Sequence, residues 1–134
     1  MTPKSKKPSL LIVEDDYESQ RFLQIFLSKT FDLDICDSSE PFYKLLENKN
    51  YAMILMDISL KGKKDGLMLT REIRDADKPY SDIPIACLTA HAFQRDKENA
   101  MNAGVDIFMT KPVENNHLLL TLKSLLSDKE GIEI

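Results

Sequence analysis

Residues 51–57 read Tyr51-Ala52-Met53-Ile54-Leu55-Met56-Asp57 and carry the most informative pattern in the chain. The first six of these residues carry no charge, which is typical of a strand that is buried on both faces. Asp57 then places a carboxylate at the end of this strand. Taken alone, that carboxylate either caps a loop or takes part in chemistry, and the rest of the sequence has to decide between the two.

Apolar, strand-like runs alternate along the chain with stretches of helical periodicity. The sequence predicts strands at residues 9–13, 31–36, 51–57, 83–89 and 105–109. It predicts helices at residues 16–29, 39–48, 66–76, 93–103 and 114–127. Gly66 begins the third helix, and Gly104 is the expected left-handed C-cap of the fourth. Five successive strand–helix units favour an α/β domain, with a parallel sheet between two layers of helices.

The composition fits one globular domain of 134 residues, with 43% hydrophobic and 30% charged residues. We predict that this domain covers residues 9–127, between a flexible tail at 1–8 and a C-terminal tail or linker stub at 128–134. The net charge of −4 gives no basic field for nucleic acid. No apolar stretch approaches the ~20 residues of a membrane span. We therefore expect a cytoplasmic protein that binds neither nucleic acid nor membrane.

Cysteine and histidine usage indicates neither disulfides nor zinc. Cys36 and Cys87 both lie in strand-like runs without a CxxC partner, which is typical of reduced core thiols. His91 and His117 are too few and too scattered for a tetrahedral zinc site. Any chemistry of the chain is therefore expected from its other polar residues.

Polar groups follow four of the five predicted strands. Glu14 and Asp15 come after the first strand and Asp57 ends the third, while Thr89 ends the fourth and Lys111 follows the fifth. The carboxyl ends of parallel strands meet along one edge of a sheet, and ligands bind in the crevice outside that edge. We therefore expect these five side chains to converge on one site.

A site of this composition suits phosphoryl chemistry. Carboxylates that lie close together repel one another, and Mg2+ offsets this because it prefers oxygen ligands and needs only one or two carboxylates besides water. Lys111 would add a point charge, Thr89 a hydroxyl and Ala90 a backbone N–H. Such groups stabilise a phosphoryl group in transfer, with Asp57 as the nucleophile that forms an acyl phosphate.

This pattern resembles the response-regulator receiver domain of two-component signalling. The resemblance covers about residues 8–127, and Asp65-Gly66 and Ala103-Gly104 agree with it. It implies a flavodoxin-like, doubly wound (βα)5 fold with a five-stranded parallel sheet in the order 2-1-3-4-5. The features that carry it stand at the ends of predicted strands: Glu14-Asp15, Asp57, Thr89-Ala90 and Lys111-Pro112.

The resemblance assigns the residues that would bind phosphate and metal. Asp57 resembles the phosphoacceptor. Glu14 and Asp15 resemble the acid pair that binds Mg2+, together with Asp57 and the backbone carbonyl of Ser59. Asp16, the third acid of the run, is our predicted N-cap of the first helix.

A second group of residues would respond to the phosphoryl group. Thr89 resembles the switch hydroxyl, and the neighbouring Ala90 offers its N–H to the anion. Lys111 resembles the lysine that pairs with the acceptor carboxylate and then with the phosphoryl oxygens. Phe108 lies where the family places an aromatic rotamer switch, and the resemblance implies a cis bond before Pro112.

The chain departs from the family pattern beside the acceptor. Residues 58–64 lack the usual proline and are one residue longer, so we expect a looser loop there. Phe108 has no hydroxyl to donate, so any switching at this position would rest on packing. Ser59 and His91 occupy positions that tend to influence the lifetime of the phosphoryl group, and we treat them as candidate rate modulators.

The leading interpretation is a phosphorylatable receiver in a two-component phosphorelay. Its donor would be a phosphohistidine on a sensor histidine kinase or a histidine phosphotransfer protein. Phosphorylation would change the face around the fourth helix, the fifth strand and the fifth helix, which a downstream protein reads or which forms a phosphorylation-dependent dimer. The chain would promote its own phosphorylation and dephosphorylation without being a multiple-turnover enzyme.

Two other functions stay open. A Mg2+-dependent aspartyl-phosphate phosphatase or phosphotransferase would use the same nucleophile, but such enzymes usually carry a second Asp where this chain has Ser59. A degenerate receiver could act as a binding module, although the acceptor, the acid pair and Lys111 are all present. Turnover of small phosphate esters would support the first function, and failure to bind Mg2+ would support the second.

Overall fold

The computed structural model describes residues 7–60, 62–91 and 93–130 of the chain. Strands and helices alternate through this part, as the sequence predicts. The strands are β1 (Ser9–Val13), β2 (Asp32–Cys36), β3 (Met53–Met56), β4 (Ile85–Thr89) and β5 (Ile107–Thr110). The helices are α1 (Tyr17–Leu27), α2 (Ser39–Asn48), α3 (Gly66–Asp75), α4 (Gln94–Ala103) and α5 (Asn115–Glu130).

The strands form one parallel sheet in the order β2-β1-β3-β4-β5. This is the order that the resemblance implies, so the predicted fold class is confirmed. From β1 the chain first adds β2 on one side of the sheet and then adds β3, β4 and β5 on the other side. In such a sheet the ligand crevice lies outside the carboxyl ends of the strands where this direction changes, here between β1 and β3. Val13 pairs with Met56 at the end of the β1–β3 ladder. Glu14 and Asp57, which come next, therefore leave the sheet side by side.

Several strands begin later than the apolar runs that predict them. The third, fourth and fifth strands each start two residues inside the predicted run, at Met53, Ile85 and Ile107. Before β4 the physical reason is visible, because Pro84 has no N–H to donate to a ladder and the N–H of Ile83 closes a turn onto the Tyr80 carbonyl at 3.1 Å. Apolar residues thus enter the core before strand pairing starts.

The ends of the last strand and helix also differ from the prediction. β5 continues to Thr110, one residue past its predicted end. α5 has 16 residues and reaches Glu130, because backbone hydrogen bonds carry a helix on after its apolar stripe ends. It takes in the first three residues of the predicted C-terminal tail, while residues 1–6 and 131–134 lie outside the described ranges. No helix in those ranges has both the length and the apolar composition for crossing a membrane.

The core consists of two layers, one on each face of the sheet. Alternate residues of β1 point into opposite layers, as a strand that is buried on both faces requires. Leu11 and Val13 join the layer under α2, α3 and α4. Leu10 and Ile12 join the layer under α1 and α5. With both faces covered, the strand ends are where the sheet can present polar groups.

The predicted helix caps are confirmed. The side chain of Asp16 accepts a hydrogen bond from the Ser19 N–H at 2.9 Å and so caps the start of α1. Gly66 is the first residue of α3. Gly104 has a φ of +116° and ends α4 in the left-handed conformation that favours glycine. Asp16 fixes the start of α1 beside the end of β1, and Asp65, whose Oδ1 accepts from the Met68 N–H at 2.9 Å, caps the start of α3.

We expect both cysteines to resist alkylation in the native protein. Cys36 is 5% exposed and Cys87 is fully buried, and burial raises the pKa of each thiol to about 12. Since the thiolate is the reactive form, iodoacetamide should modify both residues rapidly only after denaturation. Intact mass after timed alkylation, with and without guanidinium, measures this. Double alkylation of the folded protein at the unfolded rate would contradict the buried positions.

Candidate functional site

Asp57 lies at the carboxyl end of β3, in the crevice between β1 and β3. Its backbone N–H donates to the Val13 carbonyl at 3.0 Å, which fixes it to the last residue of β1. The residue is 5% exposed, and its Oδ1 accepts from the Ser59 N–H at 2.9 Å and from the Ser59 hydroxyl at 2.8 Å. Its Oδ2 lies 3.3 Å from Lys111 Nζ. The candidate acceptor is therefore a buried carboxylate held from both sides.

Glu14 lies beside Asp57 and contacts the same lysine, Lys111. Its side chain is buried, with Oε1 only 2.6 Å from Lys111 Nζ, and Oε2 accepts from the Asp16 N–H at 3.1 Å. Lys111 reaches the site because its backbone N–H donates to the Thr89 carbonyl at 2.8 Å, just past the β4–β5 ladder. One ammonium group therefore serves two buried carboxylates.

The pKa values of the two carboxylates shift in opposite directions. Burial raises the pKa of Glu14 and the charge of Asp57 adds to it, against hydrogen bonds from Lys111 and Asp16. Burial also acts on Asp57, but the hydrogen bonds from Ser59 and the charge of Lys111 outweigh it and lower the pKa. Burial disfavours the charge of Lys111, yet Glu14 and Asp57 together raise its pKa. Asp57 is thus kept in the ionised form that a nucleophile needs.

The pairing of Lys111 differs in one respect from what the resemblance implies. Its shorter contact is with Glu14, at 2.6 Å, and its contact with Asp57, the candidate acceptor, is longer, at 3.3 Å. The physical reason lies in the other donors at the site. Ser59 already gives Asp57 two hydrogen bonds, whereas Glu14 receives a single backbone N–H and draws the lysine closer.

The acidic residues at this crevice fit a hard cation. In the described part of the chain, no three His, Cys, Asp or Glu side chains already form a metal-binding group. Mg2+ does not need one, because it keeps several waters and binds through one or two carboxylates. Burial without enough positive charge is what raises the pKa of Glu14, and a divalent ion would supply that charge. The residues that would hold it are Glu14, half-buried Asp15, Asp57 and the Ser59 carbonyl.

The predicted switch residues lie on adjacent strands. Thr89 ends β4 with a fully buried side chain, and its hydroxyl oxygen accepts from the His91 N–H at 3.2 Å. Ala90 and His91 are exposed after it. Phe108 on β5 is partly buried and packs against the layer under α2, α3 and α4. The Lys111–Pro112 peptide bond is cis, in agreement with the resemblance.

The β3–α3 loop, residues 57–65, leaves the site after Asp57 and returns to it before α3. Lys61 in this loop lies outside the described residues. Ile58 and Leu60 are each 7% exposed, so burial fixes the first half of a loop for which the sequence predicts looseness. Gly62 then takes a φ of +99°, which few other residues adopt without strain. Lys64, near the loop's end, is held by contacts with two helices.

Two contacts at the site go beyond what the sequence predicts. The Gly66 N–H donates to the Ile58 carbonyl at 3.2 Å, and a Cβ on Gly66 would lie 2.3 Å from the Asp57 carbonyl oxygen. Any side chain there would push α3 away from the acceptor. Gln20 on α1 donates from Nε2 to the Glu14 carbonyl at 2.6 Å. A glycine at a helix start is a signal for the first contact, whereas a surface glutamine gives none for the second.

Comparison with known proteins agrees with this geometry. The family model for the response regulator receiver domain matches residues 10–123. The chain is 28% identical over 118 residues to the transcriptional regulatory protein SrrA of Staphylococcus aureus, a match that covers 87% of this chain and 47% of SrrA. The chain therefore spans about half the length of the curated relatives that it matches.

Solved receiver structures have the same fold. The receiver domain of a sensor histidine kinase from Pseudomonas aeruginosa is 30% identical, with a TM-score of 0.81 over 90% of this chain and 98% of that one. That protein has a magnesium ion coordinated in its active site cleft. The receiver domain of a histidine kinase from Syntrophus aciditrophicus is 26% identical, with a TM-score of 0.81 over 94% and 95% of the two chains. This chain therefore belongs to the response regulator receiver domain family of two-component systems.

Proposed function

We propose that this chain accepts a phosphoryl group on Asp57 from a phosphohistidine, with Mg2+ bound beside it. The observation that carries the proposal is the state of Asp57, a buried carboxylate with a lowered pKa at the reversal point of the sheet. The donor is a sensor histidine kinase or a histidine phosphotransfer protein, in keeping with the phosphorylation of response regulators by histidine kinases. We place this reaction in the cytoplasm.

The side chains around Asp57 have separate tasks in the transfer. Ser59 fixes Oδ1 with two hydrogen bonds, which leaves Oδ2 facing Lys111. An Asp57 oxygen bonds to phosphorus as the phosphorus–nitrogen bond of the donor breaks, and the electron pair stays on the imidazole nitrogen. Lys111 balances the charge that the phosphoryl group brings. Mg2+ would contribute charge neutralisation at the carboxylates and the phosphoryl oxygens.

The output of the reaction is a shift between two conformations. The Thr89 hydroxyl leaves the His91 N–H for the phosphoryl group, and Phe108 on the next strand follows by repacking. The face around α4, β5 and α5 then favours a downstream protein or a phosphorylation-dependent dimer. Moving such an equilibrium from 1:99 to 99:1 takes about 5.5 kcal/mol. The chain promotes its own phosphorylation and dephosphorylation and does not turn over small substrates.

Phosphorylation by acetyl phosphate tests this function. With Mg2+ present, we expect the intact mass to increase by one phosphoryl group, and borohydride reduction to map the acyl phosphate to the peptide that contains Asp57. Chelation of the metal should prevent the increase. Asp57→Ala should remove it, because no other carboxylate replaces the nucleophile.

The matched control is Asp82→Asn, which removes an exposed carboxylate in the turn before β4. This variant should be phosphorylated at the wild-type rate. A wild type that gains no phosphate, or an Asp57→Ala variant that still gains it, would overturn the proposed function. Repeated turnover of small phosphate esters would favour an aspartyl-phosphate phosphatase instead.

A further inference from the structure

A cluster of three side chains ties the β3–α3 loop to two helices. Lys64, near the end of the loop, lies with Nζ 3.0 Å and 2.9 Å from the two carboxylate oxygens of Glu72 on α3. Its ammonium group also sits over the ring of Tyr43 on α2, 5.6 Å from the ring centroid. Tyr43 donates its hydroxyl hydrogen to Glu72 Oε1. Each member therefore contacts both of the others.

The cluster rests on the core through α2. The ring of Tyr43 packs against the layer under α2, α3 and α4, and it meets the fully buried Phe42 edge-on at 5.3 Å between centroids. Burial and the contact with Glu72 raise the pKa of Tyr43, so the phenol remains a neutral donor at physiological pH. The hydrogen bonds from Tyr43 and Lys64 lower the pKa of Glu72, so its carboxylate remains charged.

The loop that this cluster holds is the one that positions the acceptor. Ser59 in the first half of the loop donates both hydrogen bonds to Asp57 Oδ1. Between Ser59 and Lys64 stands Gly62, where an added Cβ would meet nothing within 4 Å. A glycine in open space leaves a loop with many conformations unless its ends are fixed. Ile58 and Leu60 fix one end by burial, and Lys64 fixes the other.

The cluster contributes little to global stability. The side chains of Lys64 and Glu72 are 36% and 40% exposed, and ion pairs at such exposure contribute little to the free energy of unfolding. We therefore expect the cluster to act on the conformation of the β3–α3 loop. A small difference in free energy is enough to favour one loop conformation over another.

We propose that Tyr43, Lys64 and Glu72 form a clamp that fixes the α3 end of the β3–α3 loop, adds to the burial of Ile58 and Leu60 in keeping Ser59 on Asp57, and thereby sets the rate of phosphoryl transfer. The three are positioning residues, since they act on the reacting carboxylate through Ser59. The part of this proposal that concerns rate rests on the proposed function. The part that concerns Ser59 does not, and it can be measured without any phosphate.

The first measurement is exchange of the Ser59 amide hydrogen with water, followed by NMR. Tyr43→Phe removes the hydroxyl that joins α2 to Glu72 without changing a charge, and Lys64→Gln removes the link to the loop. Each should speed exchange at Ser59 about threefold to tenfold, the size expected when one hydrogen bond is lost. Asp57→Ala removes the acceptor of the Ser59 N–H, so this variant gives the exchange rate of the Ser59 amide without that hydrogen bond. Lys64→Arg keeps a positive charge that can pair with Glu72, so its exchange rate at Ser59 should lie closer to the wild type than that of Lys64→Gln.

The second measurement is the rate of phosphorylation by acetyl phosphate. Tyr43→Phe and Lys64→Gln should lower the maximal rate by a similar factor, leave the half-saturating donor concentration unchanged and shift the melting temperature by no more than a few degrees. The double variant should be no slower than the slower single variant, because both changes open the same clamp. Lys63→Gln is the matched control, since Lys63 is an exposed neighbour with the same charge.

The outcomes separate the clamp from its alternatives. Wild-type exchange at Ser59 in Tyr43→Phe would overturn the proposal. So would an equal loss of rate in Lys63→Gln and Lys64→Gln, because the cause would then be the charge of the loop. A wild type that takes no phosphate on Asp57 would overturn the proposed function and the role in rate, while faster Ser59 exchange in the two variants would still establish the clamp.

Discussion

Lys111→Met is expected to lower the free energy of unfolding by about 3 kcal/mol near pH 7, the scale on which removing one partner of a buried ion pair destabilises a protein. The wild-type ammonium group lies 2.6 Å from Glu14 and 3.3 Å from Asp57, and both carboxylates are buried. Methionine keeps most of the length of the side chain but leaves two negative charges without their shared cation. Under the proposed function, phosphorylation of Asp57 should fall as well, because the variant has no ammonium group there to balance the incoming charge.

This loss of stability should depend on pH in a defined direction. Lys111 lowers the pKa of Glu14 and of Asp57, so its removal raises both pKa values in the folded state. The folded variant then binds more protons than the folded wild type at intermediate pH. A group whose pKa is raised by folding contributes stability that is lost as pH rises. The deficit of Lys111→Met should therefore be larger near pH 7 than near pH 5.

Urea unfolding at these two pH values, in the presence of a chelator, measures the deficit. Adding Mg2+ should recover part of it in the variant, since the ion would replace the missing charge at Glu14 and Asp57. The matched control is Lys123→Met, which removes an exposed lysine from α5 and should change stability little. Equal deficits at both pH values would contradict the assignment of Glu14 and Asp57 as the groups that Lys111 stabilises.

The convergence of the site could be predicted because it follows from topology. Once Asp57 ends a buried strand and the strands are parallel, Glu14 and Lys111 must lie at the same edge of the sheet. Topology does not predict which of the two carboxylates Lys111 approaches more closely. This preference depends on how many other donors reach each oxygen, and Ser59 comes from a loop whose path the sequence does not determine.

Contacts between polar side chains that are far apart in the sequence could not be predicted either, for a related reason. Tyr43 and Glu72 are 29 residues apart, and they meet because α2 and α3 lie side by side with a particular rotation about each axis. Periodicity predicts which face of a helix is buried, but it does not predict which polar residues at the edges of two buried faces will touch. The same limit applied to Arg74, whose position near the end of α3 indicates no more than a favourable interaction with the helix dipole.

Arg74 joins four segments of the fold. Its guanidinium group donates to the carbonyls of Gly104 at 2.9 Å, Ser81 at 2.9 Å and Ile83 at 2.6 Å, and to Asp106 Oδ2 at 3.1 Å. Asp106 also accepts from the N–H of Ile85 at 2.8 Å, at the start of β4. One planar group thus fixes three segments to α3: the end of α4, the turn before β4 and the residues that lead into β5.

Arg74→Met is therefore expected to lower the free energy of unfolding by about 3 kcal/mol, because three carbonyls and a carboxylate lose a charged donor while the packing of the stem is kept. Arg74→Lys should recover less than half of this, since a single ammonium group cannot reach acceptors spread over four residues. Arg71→Met is the control, one turn earlier on the exposed side of α3. Equal chemical denaturation midpoints for Arg71→Met and Arg74→Met would mean that water satisfies these acceptors, and that the junction of α3 with α4 and β5 is held by apolar contacts instead.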